Sequence, residues 1–394
     1  MGMDYDKLMN KNAVEMKPSG IRKFFDIAAQ LEGVISLGVG EPDFKTPWKV
    51  RQAAIETLEK GRTCYTANSG LRELRQEIAG YVKNTVNTSY DPDSEILVSV
   101  GGSEAIDLAI RALVSPGDEV LVVEPCFVCY SPIVSMMGGV PVPIETKVED
   151  EFRLTAEELK AAITPKTKLL ILPFPNNPTG AVMRREDLEP IAEVLRGTDI
   201  FVITDEIYSE LTYSGRHFSI VELEGMRERC ILINGFSKSF AMTGWRLGFA
   251  CAPHGIMQHM LKLHQYCIMS SPTTSQYAAV TALRDCMGDI AKMKNEYNMR
   301  RRFVVDGFNK LGLTCFEPQG AFYVFPCIRS TGLTSDEFCE RLVYSKKVAV
   351  VPGNNFGACG EGFVRVSYAY SLNHLKEALR RIGEFLEDLK EEQK

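Results

Sequence analysis

The stretch "FSKSFAMTGWRLG", residues 236–248, sets Lys238 between Ser237 and Ser239 and places Arg246 eight residues further on. Phe236, Phe240, Met242, Trp245 and Leu247 surround them. Two cations in such apolar company are costly unless an anion or a covalent bond accounts for them. Other short stretches offer matching chemistry. Gly101-Gly102-Ser103-Glu104 opens a helical pattern, where free N–H groups and the helix dipole favour an anion. Phe127 in "PCFVCY" offers an aromatic plate. "FPNNPTG" carries Asn177 in turn chemistry. Asp205-Glu206-Ile207-Tyr208 places a carboxylate and a phenol directly after an apolar run.

Each of these has a bland reading: a tight turn, a core aromatic, a plain loop, or a buried acid with a structural partner. Asp205 reads either as a metal ligand or as the partner of a protonated ring nitrogen, and no histidine stands near it in the chain. His254, His259 and His264 recur every five residues and are read as helix-surface residues. Taken jointly, the anion seat, plate, amide, carboxylate, phenol and lysine describe a site for a flat, phosphorylated, pyridine-type aldehyde. Lys238 would condense with the aldehyde, and Ser237 and Arg246 would take the phosphate.

The elements that must position these residues are short, β-branched apolar runs: "ILVSV" at 96, "EVLVVE" at 119, "KLLILP" at 168, "IFVITDE" at 200, "CILINGF" at 230 and "LGFACA" at 247. Such runs mark strands buried on both faces. Helical patterns such as "SEAIDLAIRALV" and "REDLEPIAEVLR" separate most of them, which predicts an α/β fold: a mostly parallel sheet with helices on both faces. Ligands of such sheets bind beyond the carboxyl ends of the strands, where the candidate residues stand. After about residue 290 the pattern changes to a long amphipathic helix, the short strands "GAFYVFP", "VAVVPG" and "GFVRVSYA", and a closing helix. This predicts an N-terminal arm over residues 1–46 packing with a small α+β domain over 291–394, and a large domain over 47–290.

Composition sets bounds. At 394 residues, with 45% hydrophobic and 24% charged residues, the chain reads as a globular protein of two domains. A formal charge of −6 argues against nucleic acid and acidic membrane surfaces as partners. No run approaches the about 18 apolar residues of a membrane span. The first residues lack a signal-peptide core, so a cytoplasmic location is expected. Eleven cysteines without framework spacing are expected to be reduced thiols, the Cys126-x-x-Cys129 pair included.

With these residues in hand, the chain resembles the class I pyridoxal-phosphate-dependent aminotransferases of fold type I, the aspartate aminotransferase superfamily. "SKSFAMTGWRLG" is similar to the family's lysine signature, "PNNPTG" to its asparagine turn and "DEIY" to its ring-nitrogen aspartate. "LGVGEPDF", "YTANSGLRELR" and "GEGFVRVSYA" match its N-terminal and substrate-arginine motifs. The resemblance implies a seven-stranded central sheet, a homodimer and pyridoxal 5'-phosphate as cofactor, with no metal. It implies that Lys238 bonds the cofactor and then shuttles a proton, and that Asp205 keeps the ring nitrogen protonated. Tyr208 and Asn177 would bond the phenolic oxygen, and Phe127 would stack on the ring. Gly102, Ser103, Ser237 and Arg246 would hold the phosphate, with Tyr65 reaching in from the neighbouring subunit. Arg365, with Asn177 and the Gly40 backbone, would dock the substrate's α-carboxylate. Period-two alternation puts Arg365 on one face with Phe363 and Ser367.

The side chain recognised is not written in these motifs. Some members of the family hold a distal carboxylate with a lysine just after the Gly-Gly; Ser103 stands there. Tyr65, Phe127, Phe322, Tyr323 and the Ile21 segment suggest an aromatic-friendly pocket. The expected function is therefore transfer of an amino group between an L-amino acid and a 2-oxo acid, with broad or aromatic donors and 2-oxoglutarate. The alternatives are an aspartate or N-acetyl-diaminopimelate aminotransferase, a pyridoxal-phosphate-dependent β-lyase, or a non-enzymatic regulator, for which the chain lacks a DNA-binding module.

Overall fold

The computed structural model describes residues 3–18, 20–21 and 30–392. Strand β1 is Ile35–Ser36. The large sheet is built from β2 (Ile96–Ser99), β3 (Glu119–Glu124), β4 (Val140–Glu145), β5 (Thr167–Leu172), β6 (Phe201–Asp205), β7 (Cys230–Gly235) and β8 (Gly248–Cys251). Beyond it lie β9 (Tyr323–Val324), β10 (Val348–Ala349), β11 (Val351–Pro352) and β12 (Val364–Ser367).

The large sheet has seven strands in the order β2-β8-β7-β6-β5-β3-β4, all parallel except β8. The expected α/β architecture is thus present. Its faces feed separate apolar clusters, with alternate residues going to each. Val98, Leu121, Leu170, Val202 and Leu232 join one; Leu97, Val120, Leu169, Ile203 and Ile231 join the other. This is why the strands read as continuous apolar runs rather than alternating ones.

Two features of the sheet are not in those runs. The strand β4, "VPVPIE", contains Pro141 and Pro143 and lies at the edge. Val140 and Thr146 donate their backbone N–H groups to Asp118 and Glu124 along β3, so the alternate positions, where the prolines stand, face away from the ladder. The strand β8 runs antiparallel, with Gly248 opposite both Ser99 and Gly235. Its N-terminal end therefore shares the edge at which β2 and β7 finish, and that delivers Arg246 to the strand-end cluster.

A second apolar core gathers Met293, Tyr297, Phe308, Phe322, Phe338, Val364, Phe385 and Leu389, together with Leu37. The short strands divide into two sheets rather than one. β1 pairs in parallel with β10, and β11-β12-β9 form an antiparallel sheet. Met287–Lys310 and Leu372–Glu392 are the long helices of this part. Among the described residues no helix is long and apolar enough to cross a membrane. All eleven cysteines are free.

Candidate active site

At the carboxyl edge of the large sheet, where it meets the second core, lies a cavity of about 400 Å³. It is lined by Gly40, Gly102, Ser103, Phe127, Asn177, Asp205, Tyr208, Ser237, Lys238, Arg246 and Arg365. The structure thus brings together every site residue named from the sequence except Tyr65, which stands 80% exposed and is not part of the lining. Asp205, Tyr208 and Arg365 form the buried floor; Ser103, Phe127 and Arg246 stand at the open side. Arg246 is therefore not enclosed by the apolar residues around it in sequence.

Each position follows from its element. Gly101 has φ 79 and caps the helix Gly102–Leu113. A Cβ at Gly101 would sit 2.7 Å from Arg246 Nη2, so only glycine lets the guanidinium lie against this turn. Arg246 itself adopts a left-handed conformation, φ 53 and ψ 58, which costs a side-chain-bearing residue of order 1–3 kcal/mol. Strain of that kind collects at binding sites. The guanidinium donates to Thr243 O, a neighbour in its own turn, at 3.1 Å.

Asp205 ends β6. Its Oδ2 accepts from the Tyr130 hydroxyl at 2.8 Å and its Oδ1 from the Ile207 N–H at 3.2 Å. Burial pushes its carboxyl up to about 6, against the pull of the Tyr130 hydrogen bond. Glu206, one residue on, points to the opposite face, where it meets Thr204 Oγ1 at 2.9 Å and His217 Nε2 at 2.8 Å. The histidine missing near "DEIY" in sequence is thus present in space, on the wrong face of the strand for Asp205.

Lys238 sits in the turn after β7. Its Nζ donates to Gly40 O at 2.6 Å. Burial, with Arg365 and Arg246 nearby, brings its ammonium down to about 8, although Glu41 opposes this. In the "NNPTG" turn the two asparagines divide the work. Asn176 holds the turn, accepting from Thr179 N and Oγ1 and donating to Pro125 O. Asn177 faces the cavity and accepts from Arg365 Nη1 at 2.9 Å. Arg365 Nη2 donates to Gly38 O, while its Nε is buried without a partner. Its guanidinium lies between the rings of Tyr323 and Phe356, at 4.7 and 4.8 Å.

The reading of the three histidines as surface residues is corrected for one of them. His254 and His259 are exposed, but His264 is fully buried, its Nδ1 2.8 Å from Glu104 Oε1. Steps of five residues turn a helix by roughly 140°, so three such positions cannot share one face. Glu104 also accepts from the Val100 N–H and ties the Gly101 turn to this histidine.

Sequence reasoning gave no role to Tyr130, Glu41, Val39, Ile207 or Thr243, all of which line the cavity. Tyr130 stands in "PCFVCY" itself, three residues after Phe127, and that position was its only signal. Tyr323 and Ile21, expected near an aromatic-friendly pocket, do line the cavity, whereas Phe322 packs behind Tyr208 with ring centres 5.5 Å apart. Residues 22–29 of the Ile21 segment lie outside the described residues.

One cavity is thus bordered by a buried lysine of lowered basicity, an arginine flanked by two aromatic rings and the glycine turn that opens a helix. Residues 32–382 match the family "Aminotransferase class I and II". The chain is 53% identical over 372 residues to a Bacillus subtilis (strain 168) protein named as an aminotransferase, covering 94% of this chain and 96% of that one. It is 48% identical over 378 residues to an aspartate aminotransferase of Pyrococcus abyssi, covering 95% and 97%. The crystal structure of an aromatic aminotransferase from Pyrococcus horikoshii OT3 superposes with a TM-score of 0.89 at 46% identity, covering 93% and 99%. The chain belongs to the class I and II aminotransferases and has their fold, as the resemblance led one to expect. It is accordingly an enzyme.

Proposed function

We propose that the enzyme moves the amino group of broad or aromatic L-amino acids to 2-oxoglutarate by ping-pong chemistry on pyridoxal 5'-phosphate. The observation that carries this reading is the convergence of Lys238, Asp205 and Arg365 on one cavity. The residues fit the cofactor. The glycine cradle at Gly101 with Arg246 against it suits a phosphate dianion, joined by Gly102, Ser103 and Ser237. When bound, pyridoxal phosphate supplies an aldehyde for the amino group and a ring that accepts electrons as the Cα proton leaves.

The chain's residues do the rest. With its ammonium near 8, Lys238 is neutral in roughly a tenth of molecules at pH 7, enough to serve as nucleophile and then as proton carrier at Cα. Asp205, held by Tyr130, supports a protonated ring nitrogen. Tyr208 and Asn177 suit the ring's phenolic oxygen, and Phe127 its face. Arg365, whose Nε–H has no partner and whose two Nη groups each engage one acceptor, docks the α-carboxylate beside Asn177 and Gly40.

Among the described lining residues the cations are Lys238, Arg246 and Arg365, each already given a role. A distal carboxylate would find no further cation there, which supports a site not dedicated to acidic side chains; 2-oxoglutarate would be held there through its α-carboxylate, as any other substrate is. The exposed position of Tyr65 supports a homodimer in which the partner subunit's Tyr65 joins the phosphate seat. The free cysteines support a cytoplasmic location. The separate core around Phe322, with Leu37, supports the division into an arm (1–46), a large domain (47–290) and a small domain (291–394).

A panel of amino donors with 2-oxoglutarate, followed by glutamate formation, tests the reading. Aromatic and aliphatic donors should outrun aspartate. Activity confined to aspartate or N-acetyl-diaminopimelate would replace it, and pyruvate and ammonia formed without an oxo-acid acceptor would mark a β-lyase.

A further inference from the structure

We propose that Tyr323 is a positioning residue that joins the carboxylate-docking arginine to the phenol beside the lysine. The inference rests on the aminotransferase reading above. Tyr323 opens β9, and its backbone is paired with Ser367 of β12, two residues from Arg365. One sheet thus fixes both side chains. The ring is 1% exposed and stacks on the Arg365 guanidinium at 4.7 Å, with Phe356 closing the other face. Its hydroxyl lies 2.8 Å from the Tyr208 hydroxyl, with the two rings edge to face at 5.8 Å. A Cβ on Gly40 would come within 2.3 Å of that hydroxyl oxygen, so the loop whose carbonyl accepts from Lys238 is shaped around Tyr323.

A packing role alone would not need the hydroxyl. Phe322, the adjacent residue, fills the same core without one. Tyr323 uses both parts of its side chain. Its ring holds a planar fork whose docking depends on orientation. Its hydroxyl meets Tyr208 in a pair where either can donate. When the Tyr208 hydroxyl donates its hydrogen bond to a ligand oxygen, its own oxygen is left to accept from Tyr323, and hydrogen bonds in such a chain strengthen one another. Occupation of the carboxylate fork is thereby mechanically linked to the phenol and to the loop that touches Lys238.

The test separates ring from hydroxyl. Tyr323→Phe keeps the stack and removes the hydroxyl; Tyr323→Leu removes both. The charged and titratable neighbours of the two phenols, Arg365, Asp205, Lys238 and Glu41, are intact in each variant. In the pyridoxal-phosphate-loaded enzyme, both variants should move the pH midpoint of the visible absorbance upward. KM for all amino donors should stay near wild type in Tyr323→Phe and rise about two- to thirtyfold in Tyr323→Leu, as expected for a buried cation–π contact. Calorimetric titration of the cofactor-free protein with 3-phenylpropionate reads the stack without turnover and should rank Leu below Phe. An unmoved absorbance midpoint in Tyr323→Phe, or equal 3-phenylpropionate affinity in the two variants, overturns the proposal. Wild-type protein that binds pyridoxal phosphate but transfers no amino group would instead defeat the functional reading, while the 3-phenylpropionate comparison still decides the role of the Tyr323 ring.

Discussion

Removing the Tyr130 hydroxyl isolates the electrostatics of Asp205. Its carboxyl, raised to about 6 by burial, has an unfolded value of about 3.9. A raised carboxylate favours the proton in the folded state, so its contribution to stability is fully present below pH 4 and is lost as pH rises through 6. The loss amounts to about 3 kcal/mol, two pKa units at about 1.36 kcal/mol each. The 2.8 Å bond from Tyr130 limits that loss. A hydrogen bond to a charged group is worth about 1.5–3 kcal/mol, so Tyr130→Phe should lift Asp205 by a further one to two units, roughly to 7–8. At pH 5, a unit below the wild-type value, the carboxyl is mostly protonated in both proteins and the substitution costs its packing and a neutral hydrogen bond. By pH 9 it is ionised in both, and the variant bears the extra 1.5–3 kcal/mol, by that same estimate. Urea denaturation of the cofactor-free proteins at pH 5 and pH 9 measures this difference of differences; Lys238 titrates in both and cancels. A destabilisation equal at the two pH values to within about 0.5 kcal/mol would refute the assignment of Tyr130 as the donor that tunes Asp205.

Lys238→Ala should abolish amino transfer while circular dichroism stays that of the wild type; normal turnover would remove Lys238 from the chemistry. Arg365→Lys keeps the charge but loses the fork, so it should weaken all amino and oxo acids by similar factors with cofactor absorbance intact; damage confined to acidic donors would mean that Arg365 reads a distal carboxylate. His264→Ala leaves the half-buried Glu104 carboxylate short of a partner, so it should cost about 1–3 kcal/mol in urea and weaken pyridoxal-phosphate binding through the Gly101 turn. Unchanged cofactor affinity in that variant would reduce the pair to a structural contact.

What the sequence made legible follows from how a parallel sheet is built. Strands buried on both faces must be apolar throughout, so β2, β3, β5, β6, β7 and β8 stand out as runs, and their carboxyl ends are found by reading to where the polarity returns. Gly102, Phe127, Asn177, Asp205 and Lys238 were located in that way. The edge strand β4 escaped because only one of its sides is paired, which lets prolines occupy the other. The direction of β8 escaped because its composition is the same in either orientation. Orientation decides the matter for Arg246: a parallel β8 would begin at the far edge of the sheet and carry the arginine away from the Gly101 turn.

The residues that the strand-end rule could not reach are those delivered by the second core. Gly40 arrives beside β1, whose two residues are too short to give a pattern, and Tyr323 and Arg365 arrive on β9 and β12, of two and four residues. Their convergence depends on how that core packs against the carboxyl edge, and no local periodicity encodes such a contact. Motif resemblance supplied Gly40 and Arg365, while Tyr323 was read only as part of an aromatic-friendly pocket, because its contacts are with Arg365, Tyr208 and Gly40 rather than with its neighbours along the chain. Tyr130 shows the same limit on a smaller scale. It lies three residues from Phe127, yet its partner is 75 residues away, on a strand two places across the sheet. A residue that touches a ligand can be inferred from what the ligand requires. A residue that holds such a residue in place has no chemistry of its own to announce it, and only the packed structure identifies it.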